Sequence, residues 1–387
     1  MVLSLKVYLN IKNNYLLKIK SINYHQTLIK LINMKKILLL SLIALGTLTV
    51  KAATIGTSSR LTMVADTGDT PLTISGSVDA YYKYDFAKSS QIGTSFASDH
   101  NSFSIGMVDI ALKKTTGKTS FVGEVSFGPR GQQQSLLPGA AGDSYHIQNL
   151  YVNFAATDAL TFTMGYMGTF IGYEVISPVG NFNYSTSYMF TNGPFQNAGL
   201  KATYAFSSKA SLMVGVFNDG WNVYTSGGRI DNLGAQLFVS PVDGWNAYLN
   251  VITGNSAGTE FDLTTSYQIT DAFKLGLNAA DYTAPKYIGK GGFSGVALYP
   301  QLAVSSSVTL GLRGEYFKAK ATDFGYSAIA AGTSVKALTA TANIKSGNLT
   351  IIPEFRLDSG SANSWMNKSG MPTKKASQAL LAVVYAF

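Results

Sequence analysis

Residues 72–86 read LTISGSVDAYYKYDF. In an extended chain Leu72, Ile74, Gly76, Val78, Ala80, Tyr82, Tyr84 and Phe86 share one face, and Thr73, Ser75, Ser77, Asp79, Tyr81, Lys83 and Asp85 share the other. This dry face and wet face persist over 15 residues. An ordinary globular strand has about five or six. The period returns in EFDLTTSYQI (260–269), SVTLGLRGEYFK (307–318) and NLTIIPEFRLD (348–358). A β-sandwich also alternates, but with shorter strands and a more charged outer face. Here 13% of residues are charged, about half the share of a typical soluble domain.

The connections between such runs fall into two sets. Seven are short and built from small polar turn formers: 115–118, 156–159, 207–210, 241–243, 270–272, 304–307 and 345–348. Eight are longer and rich in Gly, Asn, Ser and Asp, at about 87–100, 130–143, 172–194, 219–229, 253–258, 284–291, 319–335 and 358–374. The sets alternate strictly, so all short turns lie at one end of the strands and all long loops at the other. Seven turns and eight loops join 16 strands. The expectation is an all-β fold, a transmembrane antiparallel β-barrel of about 16 strands over 72–387, with periplasmic turns and extracellular loops.

The chain ends QALLAVVYAF (378–387), apolar on both faces of a strand. Lipid cannot satisfy an open sheet edge, so a spanning sheet must close. The last strand is expected to pair with the strand at 72–86 and to turn Ala379, Leu381, Val383, Tyr385 and Phe387 to lipid. The segment 53–71 reads as a short periplasmic N-terminus, too short for a plug domain.

Upstream, MKKILLLSLIALGTLTVKAA (34–53) has a basic start at Lys35 and Lys36, an apolar core from Ile37 to Val50 and a small-residue cleavage pattern. It reads as a signal peptide over 34–52. Residues 1–33 are then an extension absent from the mature protein, with translation starting at Met34. Eight of the 30 Lys and Arg precede residue 53, which leaves 22 against 21 Asp and Glu. The overall charge of +9 therefore belongs mostly to the leader and does not point to nucleic acid.

Catalytic chemistry is poorly supplied. The chain has no Cys, and downstream of the leader only His100 and His146. Asp99-His100 falls in the first long loop, where a barrel enzyme could carry a pair, but a solvated loop dipeptide explains it more simply. FNDGWN (217–222) reads as a Gly-containing turn rather than a calcium loop. The sequence implies no catalytic residue, cofactor or metal site.

Several stretches, in order, resemble the OmpL-like putative β-barrel porin-2 family: ISGSVDAYYKYDF (74–86), IQNLYVNF (147–154), the run 164–206, VGVFNDGWN (214–222) and NLGAQLFVSP (232–241). The resemblance spans nearly all of 72–387 and implies an outer-membrane porin-type barrel, without supplying a solute. The aromatic ending, Tyr385 and Phe387, resembles the signal that such barrels present to the outer-membrane assembly machinery.

The expected function is a water-filled channel for passive, weakly selective diffusion of small hydrophilic solutes or ions. The alternative is a surface barrel, enzyme or adhesin, that works through its loops. Candidate pore-lining charges on the wet faces are Asp79, Lys83, Asp85, Asp109, Lys113, Glu124, Lys201, Asp262, Lys274, Arg313, Glu315, Glu354 and Arg356. The competing reading of these charges is an internal salt-bridge network that fills the lumen. The loop 172–194 is the longest, with one charge, Glu174, and five aromatics, Tyr173, Phe182, Tyr184, Tyr188 and Phe190. Trimeric porins of similar layout fold their third loop into the pore. These six residues are therefore constriction candidates opposite the charged wall of Arg313, Glu315, Glu354 and Arg356, or else they pack on neighbouring loops or headgroups. A homo-oligomer is compatible with this layout.

Overall fold

The computed structural model describes residues 70–132, 146–222, 224–225, 229–285, 289, 291–321 and 329–387. The chain divides into two units, Met1–Thr54 and Ile55–Phe387, and every described residue lies in the second. The leader assigned to 1–52 and nearly all of 53–71 lie outside the described residues, as do parts of the loops at 130–143, 219–229, 284–291 and 319–335.

Long alternating runs become strands: β1 (Thr73–Asp85), β2 (Ser102–Thr116), β3 (Thr119–Phe127), β4 (Ile147–Ala155), β5 (Leu160–Gly168), β6 (Gln196–Ser207), β7 (Ala210–Asn218) and β8 (Ile230–Val239). They continue as β9 (Trp245–Gly254), β10 (Gly258–Gln268), β11 (Phe273–Thr283), β12 (Gly292–Ala303), β13 (Val308–Ala319), β14 (Ser334–Ser346) and β15 (Leu349–Gly360). A small ribbon, β16 (Trp365–Met366) with β17 (Pro372–Thr373), stands in the last long loop, and β18 (Lys375–Ala386) ends the chain. β1 to β15 and β18 form one closed antiparallel barrel, the 16 strands read from the turn pattern.

The last strand closes the ring. Val78 pairs with Tyr385 and Tyr82 with Leu381. Gly76 and Phe387 exchange backbone hydrogen bonds in both directions at 3.0 Å. At the short-turn end the tightest connections are the pairs 117–118, 208–209 and 347–348, and two of them use glycine. Gly117 (φ 56°) and Gly347 (φ 59°) supply the left-handed backbone that two-residue hairpins require. One expectation fails at the other end. The loop placed at 253–258 is only the three residues 255–257, because Gly258 turns with φ 80° and Asp231 accepts from Ser256 N–H and Oγ and from Asn255.

The two faces of the wall differ as alternation demands. Val78, Leu312, Phe355, Leu381 and Val383 point outward and stay 40–48% exposed. Together with Leu200, Val214, Phe261 and Leu338 they make an apolar belt around the barrel. A soluble monomer rarely shows an apolar patch of more than a few hundred Å². Lipid satisfies such a belt, and the closed ladder satisfies the backbone. The inner face carries most of the charged residues of the strands.

Candidate functional site

The connection between β5 and β6, residues 169–195, turns back into the barrel and bonds to its inner wall. Gly172 N–H donates to Asp262 on β10 (3.0 Å). Tyr184 N–H donates to Glu354 on β15 (3.0 Å), and Tyr188 and Met189 N–H donate to Glu315 on β13 (3.0 and 2.9 Å). Asn183 reaches Thr341 on β14 (2.7 Å), the Tyr184 hydroxyl donates to Asp79 on β1, and that of Tyr188 donates to Asp358 on β15 (2.6 Å). In return Arg313 donates to Glu174 (2.8 Å) and to the carbonyls of Ser185 (2.6 Å) and Thr186 (3.2 Å). Arg356 holds Asp358 with two nitrogens (2.9 and 3.1 Å) and donates to Thr186 O (2.9 Å). Wall carboxylates thus take the loop's N–H groups and wall guanidiniums take its carbonyls. A loop inside a barrel has no ladder of its own, so these side chains provide partners that its buried backbone needs.

Glycines on the inner wall make room for the loop's large side chains. A Cβ on Gly276 would lie 2.3 Å from the Tyr173 hydroxyl, one on Gly295 2.6 Å from Met189, and one on Gly311 2.2 Å from the Phe182 ring. Tyr173 also stacks on Tyr299 (4.4 Å between centroids, 20° between planes). Gly276 and Gly311 lie three residues from the short-turn ends of β11 and β13, so the loop reaches deep into the barrel. Gly311→Leu is expected to push Phe182 off the wall, increase proteolytic cleavage within 169–195 and leave the barrel's far-ultraviolet dichroism intact. Unchanged cleavage would show that this seat does not hold the loop.

The first long loop and the connection after β3 lock the structure from above. Thr186 donates to Ser95 O (2.6 Å), and Phe96 packs on Phe190 and Phe195. Arg130 is buried, donates to Ile176 O (2.9 Å) and Tyr184 O (3.3 Å), and stands over the rings of Phe96 and Tyr184 at 4.5 and 4.7 Å.

Residues 71–387 match the sequence family described as Putative beta-barrel porin-2, OmpL-like. The chain belongs to this family of outer-membrane barrels. No curated protein sequence matches the porin. Among solved structures, the outer membrane channel DcaP of Acinetobacter baumannii is similar with a TM-score of 0.58 and 12% identity, over 83% of this porin and 98% of that chain. An anion-selective porin from Comamonas acidovorans gives 0.57 and 12% over 82% and 99%. OmpT of Vibrio cholerae, in its trimer form, gives 0.51 and 13% over 83% and 100%. At these identities the likeness is one of fold.

The porin's predicted charges fall on the inner face, but not all of them meet water. Arg313 and Arg356 are 0% exposed, and Glu315 and Glu354 are buried. The expectation of a loop standing across the lumen from these four is corrected, because the loop is bonded directly onto them. Asp79 is buried too. A bulge in β2 leaves the Met107 N–H free, and Asp79 accepts it (2.9 Å) over the small Gly106. Lys83 and Asp85 lie under the first loop, with Lys83 on Ser90 (3.2 Å) and Asp85 accepting from Ala87 and Gln91 N–H. Asp109 accepts from the Ser77 hydroxyl, and Asp262 from Asn250, Asn278 and Gly172. These nine are anchors or structural pairs rather than wet wall. Lys113, Glu124, Lys201 and Lys274 keep water access.

Of the six loop candidates, Glu174, Tyr184, Tyr188 and Phe190 are buried, and Tyr173 and Phe182 are half-buried. The exposed edge falls within the stretch Gly172–Asn181, where Val175 and Val179 are exposed and Asn181 ties the Val175 backbone in both directions (2.9 and 2.6 Å). Tyr385 and Phe387 face outward and are exposed. The Asp99-His100 pair is not arranged for catalysis. The His100 ring nitrogen Nδ1 accepts from Asp85 N–H (3.0 Å), while Asp99 accepts from Tyr81 (3.1 Å). Asp358 ends the wet face of the run 348–358 beside Glu354 and Arg356, yet it is not among the candidate charges read from the sequence. Neither is Arg130, which no period marks.

Proposed function

We propose that this porin forms a water-filled channel for passive, weakly selective diffusion of small hydrophilic solutes and ions, narrowed by the loop 169–195. The observation that carries this reading is the one-sided docking of the loop. Its bonds go to β1, β8, β10 and β12 to β15, while Glu124 on β3, Asn153 on β4 and Lys201 on β6 remain half-exposed. Polar side chains around a partly filled 16-strand lumen support a pore and not a solid core. The pore-lining candidates are therefore Lys113, Glu124, Lys201 and Lys274, and the constriction is the Gly172–Asn181 edge. Planar-bilayer recording of the purified protein tests the reading. Stepwise, ohmic conductance is expected, and folded protein that inserts without conducting would refute it.

The finer parts of the reading are expectations as well. The mature porin is proposed to begin near residue 53, so N-terminal sequencing of outer-membrane protein should find no residue of 1–33. The ending is proposed to serve the assembly machinery as well as the ring closure at Gly76. Removing Phe387 should lower the amount of heat-modifiable barrel in outer membranes several-fold, and an unchanged yield would remove that role. Association into a homo-oligomer is proposed on the trimer form of OmpT, and cross-linking in membranes tests it.

A further inference from the structure

Five positions on the inner wall form one cross-strand row. Ser120, Asn153, Thr163, Lys201 and Gly215 are successive partners across β3 to β7. Asn153 donates to Ser120 (3.0 Å) and Thr163 donates to Asn153 (2.8 Å). Gly215 brings no side chain, and a Cβ there would meet that of Lys201 at 2.9 Å, so the lysine stem occupies the space beside it. Lys201 is half-buried and, among the described residues, its amine has no hydrogen-bond or ion-pair partner. In the ring of sixteen, β6 lies eight strands from β14, so Lys201 faces the wall that carries the loop.

The other charges sort by their access to water. Among the described residues, the inward-facing charged side chains of the wall that are not buried are Lys113, Glu124, Lys201, Lys274 and Lys345, four cations and one anion. Glu124 accepts from Asn149 (2.5 Å) and lies within the field of Lys113. The remaining inward wall carboxylates are buried, most behind the loop, and apart from Glu260 they are bonded to N–H or O–H donors. Their number opposes the lysines at long range. At physiological salt, charge is screened over about 8 Å, so groups standing in the water path weigh most on a passing ion.

We infer that the pore prefers anions, and that Lys201 is the mid-wall contact that sets the preference, with the hydroxyl and amide row beside it. The solute class is the small hydrophilic anion. This inference rests on the channel reading above.

The test uses the full purified porin in planar bilayers under a tenfold KCl gradient. The wild type is expected to pass chloride more readily than potassium. Lys201→Glu should move the chloride-to-potassium permeability ratio toward potassium by about threefold or more, and Lys201→Gln by less. Lys336→Glu, the same charge change on the exposed outward side of β14, should leave the ratio in place. Circular dichroism and heat-modifiable mobility check that each variant is folded, and Lys201→Gln serves if Lys201→Glu does not fold. A wild type that favours potassium, or a ratio that Lys201 variants leave unmoved, overturns the inference while the channel stands. Folded protein without conductance removes the channel reading and the inference together.

Discussion

Arg356→Met should release the lumenal loop, and single-channel conductance should rise with added open-channel noise. Arg356 is fully buried and makes four kinds of contact: two nitrogens on Asp358, one on Thr186 O, one on Thr94 Oγ1 (3.2 Å) and its plane over Tyr188 (5.1 Å). Taking away one partner of a buried ion pair leaves the other charge uncompensated, which costs about 3–5 kcal/mol. The barrel ladder does not depend on this side chain, so the cost falls on the loop. Asp358 would retain only the Tyr188 hydroxyl, and Thr186 would lose a donor for its carbonyl. Arg356→Lys should not rescue, because an ammonium cannot hold a carboxylate through two parallel bonds and Thr186 O at once. The double variant Arg356→Met with Asp358→Leu should recover part of the loss, since no buried charge is then left alone. Bilayer recordings and proteolysis of 169–195 check this. If the single variant matches the wild type in both, the guanidinium is not an anchor.

If Arg313 and Arg356 were wet pore-lining cations, as the alternation alone suggests, neutralising them would shift selectivity. The structure changes the expected readout from ion preference to loop release. Alternation correctly sent Arg313, Glu315, Glu354 and Arg356 to the inner face, because a period of two specifies side and nothing more. It cannot tell whether an inward side chain meets water or another segment. The partners that settle the matter lie far off in the chain: Glu174 is 139 residues from Arg313, and Tyr184 is 170 from Glu354. Closure was readable for the opposite reason. Two apolar faces on 378–387 and one on 72–86 leave few ways to satisfy an edge in lipid, and β18 meets β1 as that requires. The inner glycines at 276, 295 and 311 carry no signal in the alternation. Their meaning as seats for Tyr173, Met189 and Phe182 needed the loop in place.

Deleting residues 178–190 should have the largest effect, raising conductance on the order of twofold or more, because a constriction dominates the resistance of a wide channel. The remaining residues, 169–177 and 191–195, still leave enough chain to join β5 to β6. The same deletion should reverse ion preference. It removes Tyr184 from Asp79, the N–H groups of Tyr184 and Ser185 from Glu354, those of Tyr188 and Met189 from Glu315, and the Tyr188 hydroxyl from Asp358. Four carboxylates then come to water on one wall. The guanidiniums freed with them, Arg313 and Arg356, number two and lose the loop carbonyls they held. The newly wet wall therefore gains net negative charge and competes with Lys201 across the lumen. Reversal potentials in a KCl gradient should move toward potassium as conductance rises. A channel that widens while keeping its chloride preference would mean that these carboxylates find new partners when the loop is gone. No change in either quantity would place the narrowest point of the path outside the loop.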